Sequence, residues 1–536
     1  MTNAILRGKP DAGNPHVRFD EGEVASYPPT VGRPEGVAMR GAKPRRGSLL
    51  YKTNDISRNE LDRRAFLGGA LAAVGGFILP TRGWSASSRP DLVFGVISDL
   101  HFGAEAGGHG IHMDERVEKA LRWFDAQGVD AVMVPGDIAH SGRIKELTRF
   151  AEVWYRVFPN GRGSDGRPVE KLFVTGNHDI DAWWNKGDDA WRTANVFNHG
   201  DNPAKVWERL FHEPFLPIWK KDVKGYAFVG SQWPSKTSQP PVEAWFREHA
   251  DELRGTKPFF YVQHAHPKGT CGAGKTACDH GVSTRALAPF ANAVAISGHS
   301  HQTLTDESGV WQGSFTSINA GCLREGGNDR RLENYDSTWP FYSKKRNLNR
   351  MKPLDGSDGG CGLLVEVYDR RLVVRRRSFV DDLPLGPDWC IALPAAADGA
   401  YDPRRQTAAS VGPEFRSDDR IVVERCAVTP GEIAGPLLAG KPCVRLRIPH
   451  PQTVKPDSRV YDFEIELRVD GAGKLTRRVL AKGFNRPEPL AAQTSDCLFG
   501  EDEIPAGGKV TFAVRPRNAF GVAGRALEAE LPARAG

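Results

Sequence analysis

Five apolar runs in one half of this chain stop on acid, imidazole or amide side chains. "VISDLH" ends on Asp99 and His101, "VMVPGD" on Asp137, "FVTGNHD" on Asn177, His178 and Asp179, "FYVQHAH" on His264 and His266, and "AISGHSH" on His299 and His301. One such ending could be a polar pair at a strand end, because alternate side chains of a strand share a face. Strand-like runs here alternate with helix-like stretches. "DLVFGVIS" is followed by an amphipathic segment from Glu115 to Gln127, "DAVMV" by a helical segment from Ile144 to Val157, and "KLFVT" comes next. That alternation predicts a layered α/β domain. Open α/β sheets hold their ligands at the carboxyl ends of the strands, so one shared site accounts for all five endings.

Carboxylate, imidazole and amide oxygen without thiolate suit borderline divalent ions such as Zn²⁺, Mn²⁺ or Fe. Two ions need about seven ligands with at least one shared carboxylate, and this inventory is large enough. No GxSxG motif offers a serine nucleophile.

The ordered set DxH, GD, GNHD, a strand ending in His, and GHxH resembles the metallophosphoesterase (calcineurin-like phosphoesterase) superfamily, over roughly residues 92–380. The resemblance implies an α/β fold, a four-layer α/β/β/α metallophosphoesterase sandwich with a dinuclear metal centre between its sheets. Carried over position by position, it implies that Asp99, His101 and His301 hold one metal, that Asn177, His264 and His299 hold the other, and that Asp137 bridges both. His178 would bind phosphate or protonate the leaving oxygen, oriented by Asp179. His264 is preferred to His266, which directly precedes Pro267, and His140 is expected beside the site. Gly136, Gly176 and Gly298 suit tight turns that bring backbone close to the metals. The implied reaction is hydrolysis of phosphomonoesters or phosphodiesters by hydroxide formed between two divalent cations. The alternative is a binding or adhesion protein built on a catalytically inactive phosphoesterase scaffold; against it, no member of the ligand set is missing.

At 536 residues the chain is too long for one hydrophobic core. Residues 1–88 read as a leader: polar and rich in Arg, Pro and Gly, then "DRRAFLGGALAAVGGFILP", whose 15 uncharged residues Ala65 to Leu79 follow Arg63 and Arg64. That run is short for a membrane span and suits a signal-peptide core. "RRAFLGG" resembles a twin-arginine export signal, which implies the twin-arginine export machinery as a partner and a periplasmic or secreted protein. Cleavage is expected in "GWSASSRP". The leader also accounts for most of the formal charge of +6, since from residue 89 onward 59 basic residues face 58 acidic ones. No stable nucleic-acid complex is therefore expected. Eight cysteines, all after the leader, permit disulfides in an exported chain, with Cys271 and Cys278 the first pair to suspect.

The metallophosphoesterase domain is expected over 89–392, with a Trp-rich insertion at 181–257. Gly, Pro and small residues mark a linker at 393–403. Short alternating strands such as "CVRLRI", "YDFEIELRVD" and "KVTFAVRPRN" then predict a C-terminal all-β sandwich domain at 404–536, loosely similar to fibronectin type III. The Trp-rich segment and the loop from Arg324 to Lys352 are expected to set specificity for a small phosphoester substrate, with nucleotides and phospholipid headgroups among the candidates.

Overall fold

Strand β1 (Leu92–Val96) is buried along nearly its whole length, as a strand covered on both faces must be. Helix α1 (Met113–Ala126), β2 (Ala131–Pro135), α2 (Ile144–Val157), β3 (Glu170–Val174) and a single helical turn, α3 (Asn177–Ile180), follow. In α1 the buried residues Met113, Val117, Ala120, Leu121 and Phe124 recur at helical spacing and form one apolar face. The structure, a computed structural model, describes residues 89–103, 112–180, 203–234, 240–271, 278–324, 360–396, 399–428, 433–435, 437–490 and 492–533. The leader with Arg63 and Arg64, the tryptophans Trp183, Trp184 and Trp191, and the loop 325–352 lie outside these residues.

The chain continues through α4 (Pro203–Phe211), β4 (Ile218–Val223), β5 (Tyr226–Ser231), α5 (Val242–Glu248), α6 (Ala250–Leu253), β6 (Phe259–Val262), α7 (Val282–Leu287), β7 (Ala293–Ser297), β8 (Val310–Gln312) and β9 (Thr316–Asn319). Four further strands, β10 (Cys361–Tyr368), β11 (Arg371–Ser378), β12 (Leu383–Pro384) and β13 (Trp389–Ala392), complete this part. One sheet runs β12-β11-β10-β1-β2-β3, with β13 also paired to β11; the other runs β4-β5-β6-β7-β9-β8. Within them β1, β2 and β3 are mutually parallel, as are β5, β6, β7 and β9, so their carboxyl ends point the same way within each sheet. Parallel neighbours need crossovers, and α1, α2, α5, α6 and α7 supply them.

Three apolar clusters set the layers. One joins α1, α2 and α4 to the outer face of the first sheet, with Phe124, Phe150, Trp154 and Phe211 among its members. A second lies between the sheets, where Phe94 of β1 meets Phe228 of β5 and Phe260 of β6 edge to face at 5.4 and 5.0 Å. A third packs α5, α6 and α7 on the second sheet through Phe246, Leu287 and Phe290. The Trp-rich stretch read from sequence as an insertion thus supplies, from residue 203 on, the edge strand β4, its hairpin partner β5 and flanking helices, with Trp207 and Trp219 buried in the core.

The segment expected to be a linker is bonded to the α/β part. Leu393 and Ala395 N–H donate to Arg370 and Ala291 carbonyls, and the Tyr401 carbonyl accepts from Gln312 N–H. Beyond it, helix α8 (Pro403–Ala409) is capped by the Asp402 side chain. Two antiparallel sheets follow. Strands β14 (Val422–Ala427), β15 (Pro442–Pro449) and β18 (Thr494–Gly500) form one, and β16 (Asp462–Val469), β17 (Ala472–Leu480), β19 (Val510–Arg517) and β20 (Leu527–Glu530) form the other. Their apolar faces share one cluster that includes Leu446, Ile465, Phe499 and Phe512. Among the described residues no helix is long and apolar enough to cross a membrane.

Candidate metal centre

The loops after β1 and β2 are laced together. Asp99 and His101 N–H donate to the Gly136 and Asp137 carbonyls at 3.2 and 2.9 Å, and Gly298 N–H after β7 donates to His264 O after β6 at 3.0 Å. These bonds require tight backbone. Asp99, His101, Asp137, His299 and His301 all have φ between +49° and +67°. A side chain in that left-handed region costs about 1–2 kcal/mol, so the fold holds five strained residues in one place, which is where functional sites store strain. Gly136 sits at φ +96°, and a Cβ there would come within 2.7 Å of Gly176 N and 2.8 Å of His264 Nδ1. A Cβ on Gly176 would collide with the Asp137 carboxylate.

Three groups of ligand atoms result among the described residues, each within 4.8 Å of one another: Asp99, His101, Asp137 and His301; Asp137, His264 and His299; and His101, His140 and His178. Asp137 is common to the first two. Its Oδ1 accepts from His178 N–H at 2.9 Å, while Oδ2 lies 3.0 Å from His264 Nε2 and 3.7 Å from His101 Nε2. His101 Nε2 meets His301 Nε2 at 3.1 Å, and His299 Nδ1 meets His264 Nε2 at 3.1 Å. Asp99 accepts from His299 N–H and lies 3.1 Å from His301 Nε2.

A cation fits this donor set. The Pro135 carbonyl can only accept, so His264 Nδ1 carries the hydrogen of their 2.7 Å bond. Its Nε2 therefore aims a lone pair at the Asp137 carboxylate unless a proton or metal lies between them. Burial alone would depress the His264 pKa, but Asp137 and Asp99 push it up to about 9. Burial likewise works against ionised Asp99 and Asp137, and imidazole neighbours nonetheless hold both below the usual carboxylate range. Asn177 Oδ1 is buried and makes no hydrogen bond within the structure, as an amide oxygen kept for a metal would be.

His178 and Asp179 have different partners from those expected. His178 Nδ1–H donates to the His140 carbonyl at 2.8 Å, and its ring stands perpendicular to that of His101 with centroids 4.4 Å apart. The Asp179 carboxylate bonds backbone instead of this ring. The Asp179 carboxylate accepts from Gly176, Ala139 and Ile138 N–H at 2.8, 2.7 and 3.3 Å, pinning the loop after β2 to the turn after β3. Burial and the nearby Asp137 push its pKa up to about 7. The cause is geometric: adjacent residues on one helical turn point different ways, and the His140 carbonyl, distant in sequence, faces the imidazole.

His266 turns away from the cluster. Its Nε2 meets Ser300 Oγ at 3.3 Å and its Nδ1 meets Cys271 Sγ at 3.4 Å, and burial drives its pKa down to about 3. No disulfide joins Cys271 to Cys278. His140 lies beside the site, its Nδ1 3.4 Å from His101 Nδ1. Two neighbours escaped the sequence reading. The Trp233 ring packs 5.6 Å from His264 and 5.5 Å from His299, and the Cys322 side chain touches His301. The available signal was a sixth strand end, "INAGC" after β9, which closes on Gly and Cys at the same edge.

No protein of curated function matches the chain. Among solved structures it is similar to a dimetal phosphatase from Danio rerio (13% identity, TM-score 0.32, covering 56% of this chain and 99% of that one). It is also similar to a purple acid phosphatase from yellow lupin, Lupinus luteus, seeds (14%, 0.37, 57% and 55%) and to Vacuolar Protein Sorting 29 from Cryptosporidium parvum (9%, 0.27, 56% and 98%). The family model for calcineurin-like phosphoesterases matches residues 92–303. That span contains the five strand ends that carry the acid, imidazole and amide side chains of the candidate centre, so this part of the chain is similar to a calcineurin-like phosphoesterase domain.

Proposed function

We propose that the protein is an exported phosphoesterase with two divalent metal ions, Mn, Zn or Fe, hydrolysing phosphomonoesters or phosphodiesters. The observation that carries this is the Asp137 carboxylate, common to two of the ligand groups. Asp99, His101 and His301 would hold one ion and Asn177, His264 and His299 the other. Bound there, two cations supply Lewis-acid activation of water and neutralise charge on the phosphoryl oxygens. The chain's own groups do the rest. Asp137 fixes the separation of the two sites. His178, its Nδ1–H committed to the His140 carbonyl, presents Nε2 to the cleft and in its protonated form donates a proton to the departing oxygen. Asp179 holds the two loops that carry Asp137 and His178. Export rests on the paired Arg63 and Arg64 before the uncharged run and implies the twin-arginine machinery and a periplasmic or secreted location. The two C-terminal sheets are read as a fibronectin type III-like sandwich. Nucleotides and phospholipid headgroups are the first substrates to try.

The test is a panel. The protein, stripped and reloaded separately with Mn²⁺, Zn²⁺ or Fe, is assayed against p-nitrophenyl phosphate, bis-p-nitrophenyl phosphate, cyclic and linear nucleotides and phospholipid headgroups. Metal-dependent hydrolysis of at least one is expected. No hydrolysis under any metal would replace this reading with that of a binding protein on an inactive scaffold.

A further inference from the structure

A histidine ligand keeps its direction only when its second ring nitrogen is also held. The Pro135 carbonyl does this for His264. For His301 the arrangement differs. Its Nε2 faces Asp99 Oδ1 and His101 Nε2, both at 3.1 Å, which turns the other nitrogen away from the cleft. The Cys322 side chain hydrogen-bonds the His301 imidazole, and its S–H donates to the Asp99 backbone carbonyl at 3.4 Å.

The thiol is delivered to that position by rigid backbone. Cys322 is fully buried just past β9. Leu323 N–H donates to Ser98 O at 2.9 Å and Arg324 N–H to Asp99 O at 3.3 Å, so the segment runs bonded alongside the loop that carries Asp99. Gly321, at φ +73°, leaves no room for a side chain, since a Cβ would lie 2.7 Å from Cys361 Sγ and 2.8 Å from Leu304 Cγ. A neutral thiol is both a weak donor and a weak acceptor. It can therefore accept from an imidazole N–H while donating to Asp99 O.

We propose that Cys322 is a positioning residue of the metal centre, its thiol aiming His301 and the Asp99 segment at the same ion without itself being a ligand. The proposal rests on the two-metal reading above. It differs from a packing role, because serine keeps the donor and acceptor that alanine removes.

The experiment titrates the metal-free full chain, and its Cys322→Ala and Cys322→Ser variants, with Co²⁺, following binding by visible absorption and cobalt content. Wild type is expected to take up two Co²⁺ without a near-ultraviolet sulfur-to-cobalt charge-transfer band. In Cys322→Ala one binding step should weaken about 10- to 100-fold while the other holds, and Cys322→Ser should recover most of that loss. Unchanged affinities in Cys322→Ala, equal weakening in both variants, or a charge-transfer band in wild type would each overturn the proposal. Thermal unfolding checks the variants. If Cys322→Ala does not fold, a changed spectrum at one cobalt site of Cys322→Ser supports the proposal and an unchanged spectrum overturns it. Wild type that binds fewer than two Co²⁺ fails the two-metal reading itself, a distinct result.

Discussion

Asp137 and Asp462 are both buried from solvent, yet they are treated in opposite ways. Asp462, at the start of β16, lies directly across from Arg517 of β19, whose guanidinium grips both carboxylate oxygens. The charge is cancelled by a fixed cation of the chain, in the bidentate geometry that arginine provides. Asp137 has no such partner: among the described residues no Lys or Arg pairs with it, and its neighbours are imidazoles and one backbone amide. A buried carboxylate among imidazoles faces groups that exchange protons, whereas one gripped by arginine faces a permanent charge. In this chain, then, burial of an acid is no sign of function by itself; what distinguishes the α/β part is a buried acid surrounded by imidazoles and not by a fixed cation.

The sharpest way to break this contrast is the same substitution in both places. Asp137→Asn removes the shared charge between two sites, so the protein should lose at least one metal and on the order of 10³-fold or more of its phosphodiesterase rate. Metal analysis and bis-p-nitrophenyl phosphate kinetics check this; two metals retained with full activity would refute the bridging role. Melting of the chelator-stripped protein at neutral pH should be lowered by Asp137→Asn, because the imidazole neighbours that hold this carboxylate below the usual range stabilise the fold that contains it.

His178→Ala should come next in size. It is expected to keep both metals and slow turnover by roughly 10²- to 10⁴-fold if the imidazole is a general acid. The loss should be largest for esters with poor leaving alcohols and smallest for p-nitrophenolate. An even loss across the leaving-group series would mean that His178 binds the phosphoryl group, and loss of a metal would make it a ligand.

Asp462→Asn should leave metal content and turnover untouched. It weakens a pair whose arginine is itself largely buried, so a loss of about 3 kcal/mol in unfolding free energy is expected by denaturant titration. A loss of activity without a loss of stability would mean that the C-terminal sheets serve the reaction, and the contrast drawn here would fail.

Much of the fold was legible because short-range pattern carries it. The segment predicted as a helix from Ile144 to Val157 spans those residues, and the one expected from Glu115 runs from Met113 to Ala126, since apolar spacing reports a buried face before it reports a terminus. "GLLVEVYDRRLVVRRRSF" closes as the β10–β11 hairpin, with Tyr368 opposite Arg371. The Trp-rich stretch was harder to read. Its tryptophans read as an insertion, and only the pairing of β5 with β6 shows that its second half builds the sheet.

By itself the sequence determined which side chains stand at the strand ends and hence the inventory of acids, imidazoles and amide, because in a parallel sheet the end of a strand is also a place in space. Tertiary structure decided which of them meet. The partner of His178 is a carbonyl 38 positions away, and the Cys322 thiol lies against a carbonyl 223 positions away. Asp179, beside His178 in sequence, instead holds two backbone loops together. Side-chain chemistry is written along the chain, whereas the second contact of each group depends on how two sheets stack and how left-handed turns aim their side chains. No local pattern encodes that.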